Sequence, residues 1–190
     1  MTTWLKRHFR IALMLLFGLA VLPTYLRAFK LSTPSMAPSI NIGDSFLLNK
    51  AAYFVGSPKR GDMVQLVLPH NSFVVIKRVI GLPGETVEFR ENRVLINGRA
   101  LPLSPLNRND FNWVARVNNI GADVYNEDGH WISFTPRQGQ VRSHVPVTLG
   151  AHELYLVGDN RDGSLDSRIW GPVSEDRILG KVLVTYARSK

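Results

Sequence analysis

Apolar and polar positions divide this chain into an uncharged N-terminal run followed by a long succession of short apolar stretches. Residues Ile11–Leu26 carry no charge; Lys6, Arg7 and Arg10 precede them, and Arg27 and Lys30 follow. In helical geometry such a run reaches roughly 24 Å at about 1.5 Å per residue, slightly short of a ~30 Å hydrocarbon layer. Arg10 and Arg27 can snorkel, and Phe9, Tyr25 and Phe29 suit the two interfaces. The pattern predicts one uncleaved transmembrane helix over about residues 10–27, anchoring the chain to membrane lipid. A cleaved leader fits less well, because neither Leu-Pro-Thr nor Arg-Ala-Phe offers a small-x-small site. Flanking basic residues also argue against a core helix. The basic residues before the run outnumber those after it, which favours a cytoplasmic N-terminus.

Past residue 40 the pattern changes to short strands. Ser45–Asn49, Met63–Leu68, Ser72–Ile80, Thr86–Arg90 and Arg93–Ile96 are apolar, β-branched or alternating. Turn signals separate them: Gly81-Leu-Pro-Gly84 after the third and Asn97-Gly98 after the fifth. Residues 103–148 are richer in Asn, Gly and Asp, with isolated aromatics (Phe111, Trp113, Tyr125, Trp131) and a strand candidate at Trp131–Phe134. This stretch reads as an inserted small sheet or set of loops. Strands resume at Glu153–Val157 and Gly180–Tyr186. The expected fold class is mainly β, an antiparallel sheet behind one N-terminal transmembrane helix.

Composition narrows the functions. The 190 residues suit one domain plus an anchor, and 45% hydrophobic residues are enough for a core. No cysteine is present, which excludes disulfides, thiolate catalysis and cysteine metal sites. The net charge of +8 is spread along the chain without a long basic run. That favours an anionic lipid surface over nucleic acid as partner.

Three segments could carry chemistry. In Thr33-Pro34-Ser35-Met36-Ala37-Pro38-Ser39, two prolines fix the backbone on either side of Ser35. A stiff exposed loop suits a pre-positioned nucleophile, and it suits an ordinary Pro/Ser linker at least as well. Lys77 interrupts an apolar strand; alternation sets it on one face with Phe73 and Val75, and Arg78 on the other with Val74 and Ile76. Apolar surroundings disfavour an ammonium, and a neutral lysine can accept a proton from a serine hydroxyl. An edge strand with its two cations in solvent reads equally well from the pattern alone. Residues Gly158–Gly171 (GDNRDGSLDSRIWG) are dense in short polar side chains, and their spacing fails the EF-hand pattern. A buried polar network around a turn fits them better, with Asp166 and Arg168 able to pair. No metal-binding helix motif, nucleophile elbow or phosphate loop occurs.

Taken in order, Pro34–Ser39, Gly61-Asp-Met-Val64, Lys77–Gly84 and Gly158–Gly171 resemble the type I signal peptidases, a Ser–Lys serine protease family. These segments cover about forty residues and bracket nearly the whole chain after the apolar run. The resemblance implies a membrane-bound endopeptidase that removes signal peptides from secretory preproteins after small-x-small sites. It implies Ser35 as nucleophile, Lys77 as general base, Ser164 as the serine orienting that lysine, and Asp166 with Arg168 as a structural ion pair. The Ser35 N–H and Thr33 would form the oxyanion hole. Leu31, Met36, Ile40, Val75 and Ile76 would line the substrate pockets, and no metal or cofactor is implied. The catalytic β core would comprise 31–102 and 149–190, with 103–148 inserted and 1–30 forming a cytoplasmic stub and anchor. The protein would sit in the cell membrane with its catalytic domain on the outer face. This sequence departs from the family pattern at Thr33 and Pro34, where Ser or Gly is frequent, and at Glu85, where Asp is common. Two other functions share parts of the pattern: a peptidase dedicated to one substrate such as a conjugative pilin precursor, and an inactive membrane-tethered scaffold. A self-cleaving repressor-type Ser–Lys protein is disfavoured, because an apolar N-terminus stands where DNA-binding helices would be.

Overall fold

The computed structural model describes residues 7–13, 24–106, 123–135 and 143–186. Short runs of β-branched and aromatic residues make strands wherever a turn signal closes them. In the first half these are β1 (Leu26–Lys30), β2 (Ser45–Asn49), β3 (Met63–Val67), β4 (Val74–Gly81), β5 (Thr86–Arg90), β6 (Arg93–Ile96) and β7 (Arg99–Ala100). The second half adds β8 (Leu103–Pro105), β9 (Asp123–Glu127), β10 (His130–Phe134), β11 (His144–Thr148), β12 (Glu153–Val157), β13 (Val173–Ser174) and β14 (Ile178–Tyr186). A seven-stranded sheet has the order β1-β2-β14-β3-β4-β12-β13, a four-stranded sheet β11-β5-β6-β7, and a three-stranded sheet β10-β9-β8. Strand pairing in all three is antiparallel.

The turns follow their residues. Asn97 and Gly98 both adopt positive φ (50° and 78°), the geometry that joins β6 to β7 tightly. The stretch read as an insertion divides between two sheets: β8, β9 and β10 form the three-stranded one, while β11 adds to β5 through Val147 and Thr148. Phe111 and Trp113 lie outside the described residues.

Residues 7–13 are helical, and no helix among the described residues is long and apolar enough to cross a membrane. The centre of the expected span, residues 14–23, lies outside the described residues. Its far end needs correction. Leu26 and Arg27 are strand, paired with Asn49 and Leu48 of β2. An open β2 edge would leave backbone groups unpaired, and β1 supplies their partners. Phe29 accordingly stacks on Phe46 (centroids 5.6 Å apart), and Tyr25 meets Phe54 edge-on at 5.5 Å.

Three apolar clusters hold the sheets. Leu31, Met36, Ile40, Phe46, Leu48, Ile76 and Val182 form one. Val64, Leu66, Val79, Leu154, Leu156 and Val173 form the second. The third, including Ile80, Val87, Phe89, Leu149, Tyr155 and Val157, ties the four-stranded sheet to β4 and β12. Strand β4 contributes to all three, so both of its faces are covered. It lies between β3 and β12, which removes the edge-strand reading of Lys77 and Arg78. The density of the third cluster shows at Gly81. A methyl group there would stand 2.4 Å from Val87 Cγ2 and 2.8 Å from both Leu149 Cδ1 and Tyr155 Cβ. Gly81→Ala is therefore expected to lower stability by about 1–3 kcal/mol, the usual cost of overpacking. A urea midpoint equal to that of the native protein would show that the cluster has room to spare.

Candidate active site

Ser35 begins a tight turn in which Ala37 N–H donates to Pro34 O (3.0 Å) and Ile40 N–H to Met36 O (2.9 Å). Met36 and Ile40 are fully buried and pull this turn against the sheet. Ser35 is consequently only 8% exposed, not the open loop residue expected, while Thr33 and Pro34 stay at the surface. The hydroxyls of Thr33 and Ser35 lie 3.2 Å apart. A second loop clamps the turn: Asn160 N–H donates to Ser35 O (3.1 Å), and Asn160 Nδ2 donates to Pro34 O (3.3 Å).

Gly158 is the point where these loops meet. A Cβ there would lie 2.2 Å from Ser164 Oγ and 2.5 Å from Ser35 O, so only glycine lets them approach. Gly158 N–H donates to Asp166 Oδ2 (3.0 Å). Its neighbour Val157 pairs with Arg78, and extending that antiparallel register brings Gly158 opposite Lys77. Ser35, Ser164, Asp166 and Lys77 are thus gathered around one glycine. Ser164 Oγ is buried against Gly158 and lies close enough to the Asp166 carboxylate to help hold that carboxyl low.

Lys77 is 3% exposed in the middle of β4. Burial pushes its ammonium down to about 8; the carboxylates of Asp166 and Asp159 oppose the drop, and the Arg168 charge adds to it. For Asp166, burial pushes the carboxyl upward, yet the charge and hydrogen bonds of Arg168 and the Gly158 N–H bring it below the usual range. Arg168 Nε and Nη2 each reach the Asp166 carboxylate at 2.8 Å, and Nη2 also donates to Arg161 O (2.6 Å). Asp166 further caps the short helix Ser167–Trp170 by accepting from Arg168 N–H. This carboxylate is therefore committed to Arg168, Ser164 and the backbone, and it influences Lys77 through its field.

Leu31, Met36, Ile40 and Ile76 share one apolar cluster, whereas Val75 packs against the cluster of Val64, Leu66 and Val79. Consecutive strand residues point to opposite faces, which accounts for the split.

Two buried ion pairs were not singled out from the sequence. Arg78 forks onto Asp159 (Nε–Oδ1 2.7 Å, Nη2–Oδ2 2.5 Å) and donates to Gly61 O (2.6 Å) and Ser39 Oγ (3.1 Å). Arg161 forks onto Glu127, with Nη1–Oε1 at 2.9 Å and Nη2 on Oε2. The polar density of 158–171 signalled Asp159 and Arg161, whereas nothing local distinguishes Glu127 on its hairpin. Asp62 of the Gly61-Asp62 motif accepts from Lys181 Nζ (2.6 Å) and Tyr53 Oη (2.9 Å), tying β14 to the start of β3. Glu85, the departure from the family pattern, accepts from Arg60 Nη2 (2.6 Å) and Leu82 N–H (2.8 Å), closing the turn after β4.

The lowered Lys77 value has a consequence for stability. Folded Lys77 loses its proton near pH 8 and unfolded lysine near 10.5, so the unfolded chain binds more protons between the two. Stability contributed by this group rises with pH across that window, by about 3 kcal/mol at 1.36 kcal/mol per unit. Lys77→Met should remove the rise and stabilise the protein at pH 7. The difference between variant and native unfolding free energies, measured from pH 7 to 10.5, should shrink toward high pH. A difference constant with pH would mean that Lys77 titrates normally.

Comparison with known proteins shows the family. The family described as signal peptidase, peptidase S26, matches residues 1–187. The chain is 32% identical to signal peptidase I of Aquifex aeolicus (strain VF5), over 86% of this chain and 77% of that one. It is 30% identical to signal peptidase I of Pseudomonas fluorescens, over 90% and 68%. Signal peptidase I T of Bacillus subtilis (strain 168) is 27% identical, over 94% and 82%. The chain belongs to the signal peptidase family, peptidase S26.

Proposed function

We propose that this serine endopeptidase removes signal peptides from secretory preproteins by a Ser35–Lys77 dyad. The observation that carries the reading is the burial of Lys77 with its ammonium pushed down to about 8, since a lysine must be neutral to act as base. Lys77 Nζ takes the Ser35 proton as Oγ attacks the scissile carbonyl. The tetrahedral oxyanion is held by the Ser35 N–H and the Thr33 hydroxyl, donors of a kind worth about 3 kcal/mol each. Collapse of that intermediate breaks the peptide bond, and protonated Lys77 returns the proton to the leaving amine. Water then attacks the acyl-enzyme, losing its proton to Lys77, and the ester bond breaks as Lys77 returns that proton to Ser35 Oγ and the acid leaves. Ser164 orients the lysine amine. Leu31, Met36, Ile40 and Ile76, buried together next to the Ser35 turn, back the apolar pockets for small side chains at the −1 and −3 positions. The apolar run from Ile11 tethers the enzyme to the cell membrane with the N-terminus in the cytoplasm and the β core on the outer face.

Cleavage of a labelled precursor in detergent tests the dyad. Ser35→Ala should abolish cutting while the unfolding curve stays native. Lys77→Arg should also abolish cutting, because guanidinium keeps its proton, with the fold retained at some cost in stability. Native turnover by either variant removes that residue from the mechanism. For the native enzyme, kcat/KM should rise about tenfold per pH unit below 8 and level off above it, as Lys77 deprotonates. A profile flat from pH 6 to 9 would contradict Lys77 as base. The dyad needs no metal, so EDTA should leave the rate unchanged, and a loss restored by added divalent ions would defeat it.

A further inference from the structure

A serine with no exposed surface sits in β10, between the three-stranded sheet and the loops around Ser35. Ser133 Oγ donates to Ala37 O (3.0 Å), two residues beyond Ser35. Its N–H donates to Asp159 O (2.8 Å), and its carbonyl accepts from Arg161 N–H (2.9 Å). These bonds bracket Asn160, the residue that holds Ser35 O and Pro34 O. Ser133 is therefore bonded to both loops that meet over Gly158.

The choice of residue has a physical reason. Ala37 is buried, and a buried carbonyl left without a donor costs about 1–3 kcal/mol. Ile132, its neighbour on β10, is equally buried and apolar, as core strands usually are. A valine at 133 would fill the space but leave Ala37 O unpaired. The same sheet is held on by other bonds: Glu127 to Arg161, Thr135 N–H to Asp162 Oδ2 (2.8 Å) and Ser39 Oγ to Trp131 O (3.4 Å). Of these, the longer Ser39–Trp131 bond also reaches the Ser35 turn, but four residues beyond the serine, whereas Ser133 bonds Ala37 two residues beyond it.

We infer that Ser133 is a positioning residue for the nucleophile: its hydroxyl fixes Ala37 O and thereby the height of Ser35 above the sheet. The inference rests on Ser35 being the nucleophile. It assigns the three-stranded sheet a part in the chemistry, since a nucleophile misplaced by about 1 Å can lose 100-fold in rate. Ser133 touches neither substrate nor the transferred proton.

The experiment measures precursor cleavage by the full chain in detergent for four variants. Ser133→Ala should lower kcat about 10- to 100-fold with KM within about twofold, because the loss falls on the transition state and not on binding. The pH midpoint should stay where it is, since the Lys77 surroundings are untouched. Ser133→Cys keeps a weak donor of similar size and should recover part of the rate. Val124→Ala, on the strand paired opposite Ser133, destabilises the same sheet without touching a hydrogen bond and should leave kcat within about twofold. Equal losses in Ser133→Ala and Val124→Ala, or a drop in Ser133→Ala carried by KM, would overturn the positioning role. Ser35→Ala run beside them separates the two readings. If it still cuts, Ser35 is not the nucleophile. If it is dead while Ser133→Ala retains native kcat, only the role of Ser133 falls.

Discussion

An ammonium held out of water between two strands sets the terms for everything around it. Lys77 has β3 on one side and β12 on the other, and its charged form is disfavoured by burial. A fold that buries such a group loses stability at neutral pH, and the surroundings must keep the loss small without abolishing it. Asp166 and Asp159 lie close enough to favour the cation, yet each is already bound to an arginine, Arg168 and Arg78 respectively. Had either carboxylate been free to pair directly with the lysine, the proton would have stayed on. The arginines therefore do more than neutralise acids: they keep two anions occupied at a distance that leaves the amine basic and still able to shed its proton.

The polar stretch 158–171 makes this possible in a small volume. Gly158 lets two loops approach, Asn160 holds the Ser35 turn, and Asp166 caps a one-turn helix while gripping Arg168. Arg161 carries its charge into the core, where Glu127 matches it from a separate sheet. Removing one member of such a buried pair costs about 3–5 kcal/mol, because the other charge is stranded. The three sheets are thus joined near the site by ion pairs and single hydrogen bonds, and elsewhere by apolar clusters.

Much of this was legible in the chain. Strands β2, β5, β6 and β12 coincide with the stretches read from alternation and turn signals, because local pattern and burial agree there. The Asn97-Gly98 hairpin follows from φ preferences alone. What escaped reading is non-local. Leu26 and Arg27 look like the end of an apolar span, and only the unpaired edge of β2 turns them into strand. Ser35 looks exposed between prolines, and only the depth of Met36 and Ile40 draws it inward. Glu127 and Ser133 carry no signal at all, since each is defined by a partner more than thirty residues away.

The pairing of β1 with β2 also has a mechanical side. Five consecutive residues, Leu26 to Lys30, are joined in register to Asn49 through Ser45. Tension applied along the chain from its N-terminal end reaches these rungs in shear, so they share the load instead of opening one by one. Leu31 follows directly, its N–H bonded to Asp44 O, and the turn that Ser35 begins lies four residues on. A displacement of Leu26 is therefore passed to the sheet and to the serine together, with no slack linker among the described residues between Leu26 and Ser35.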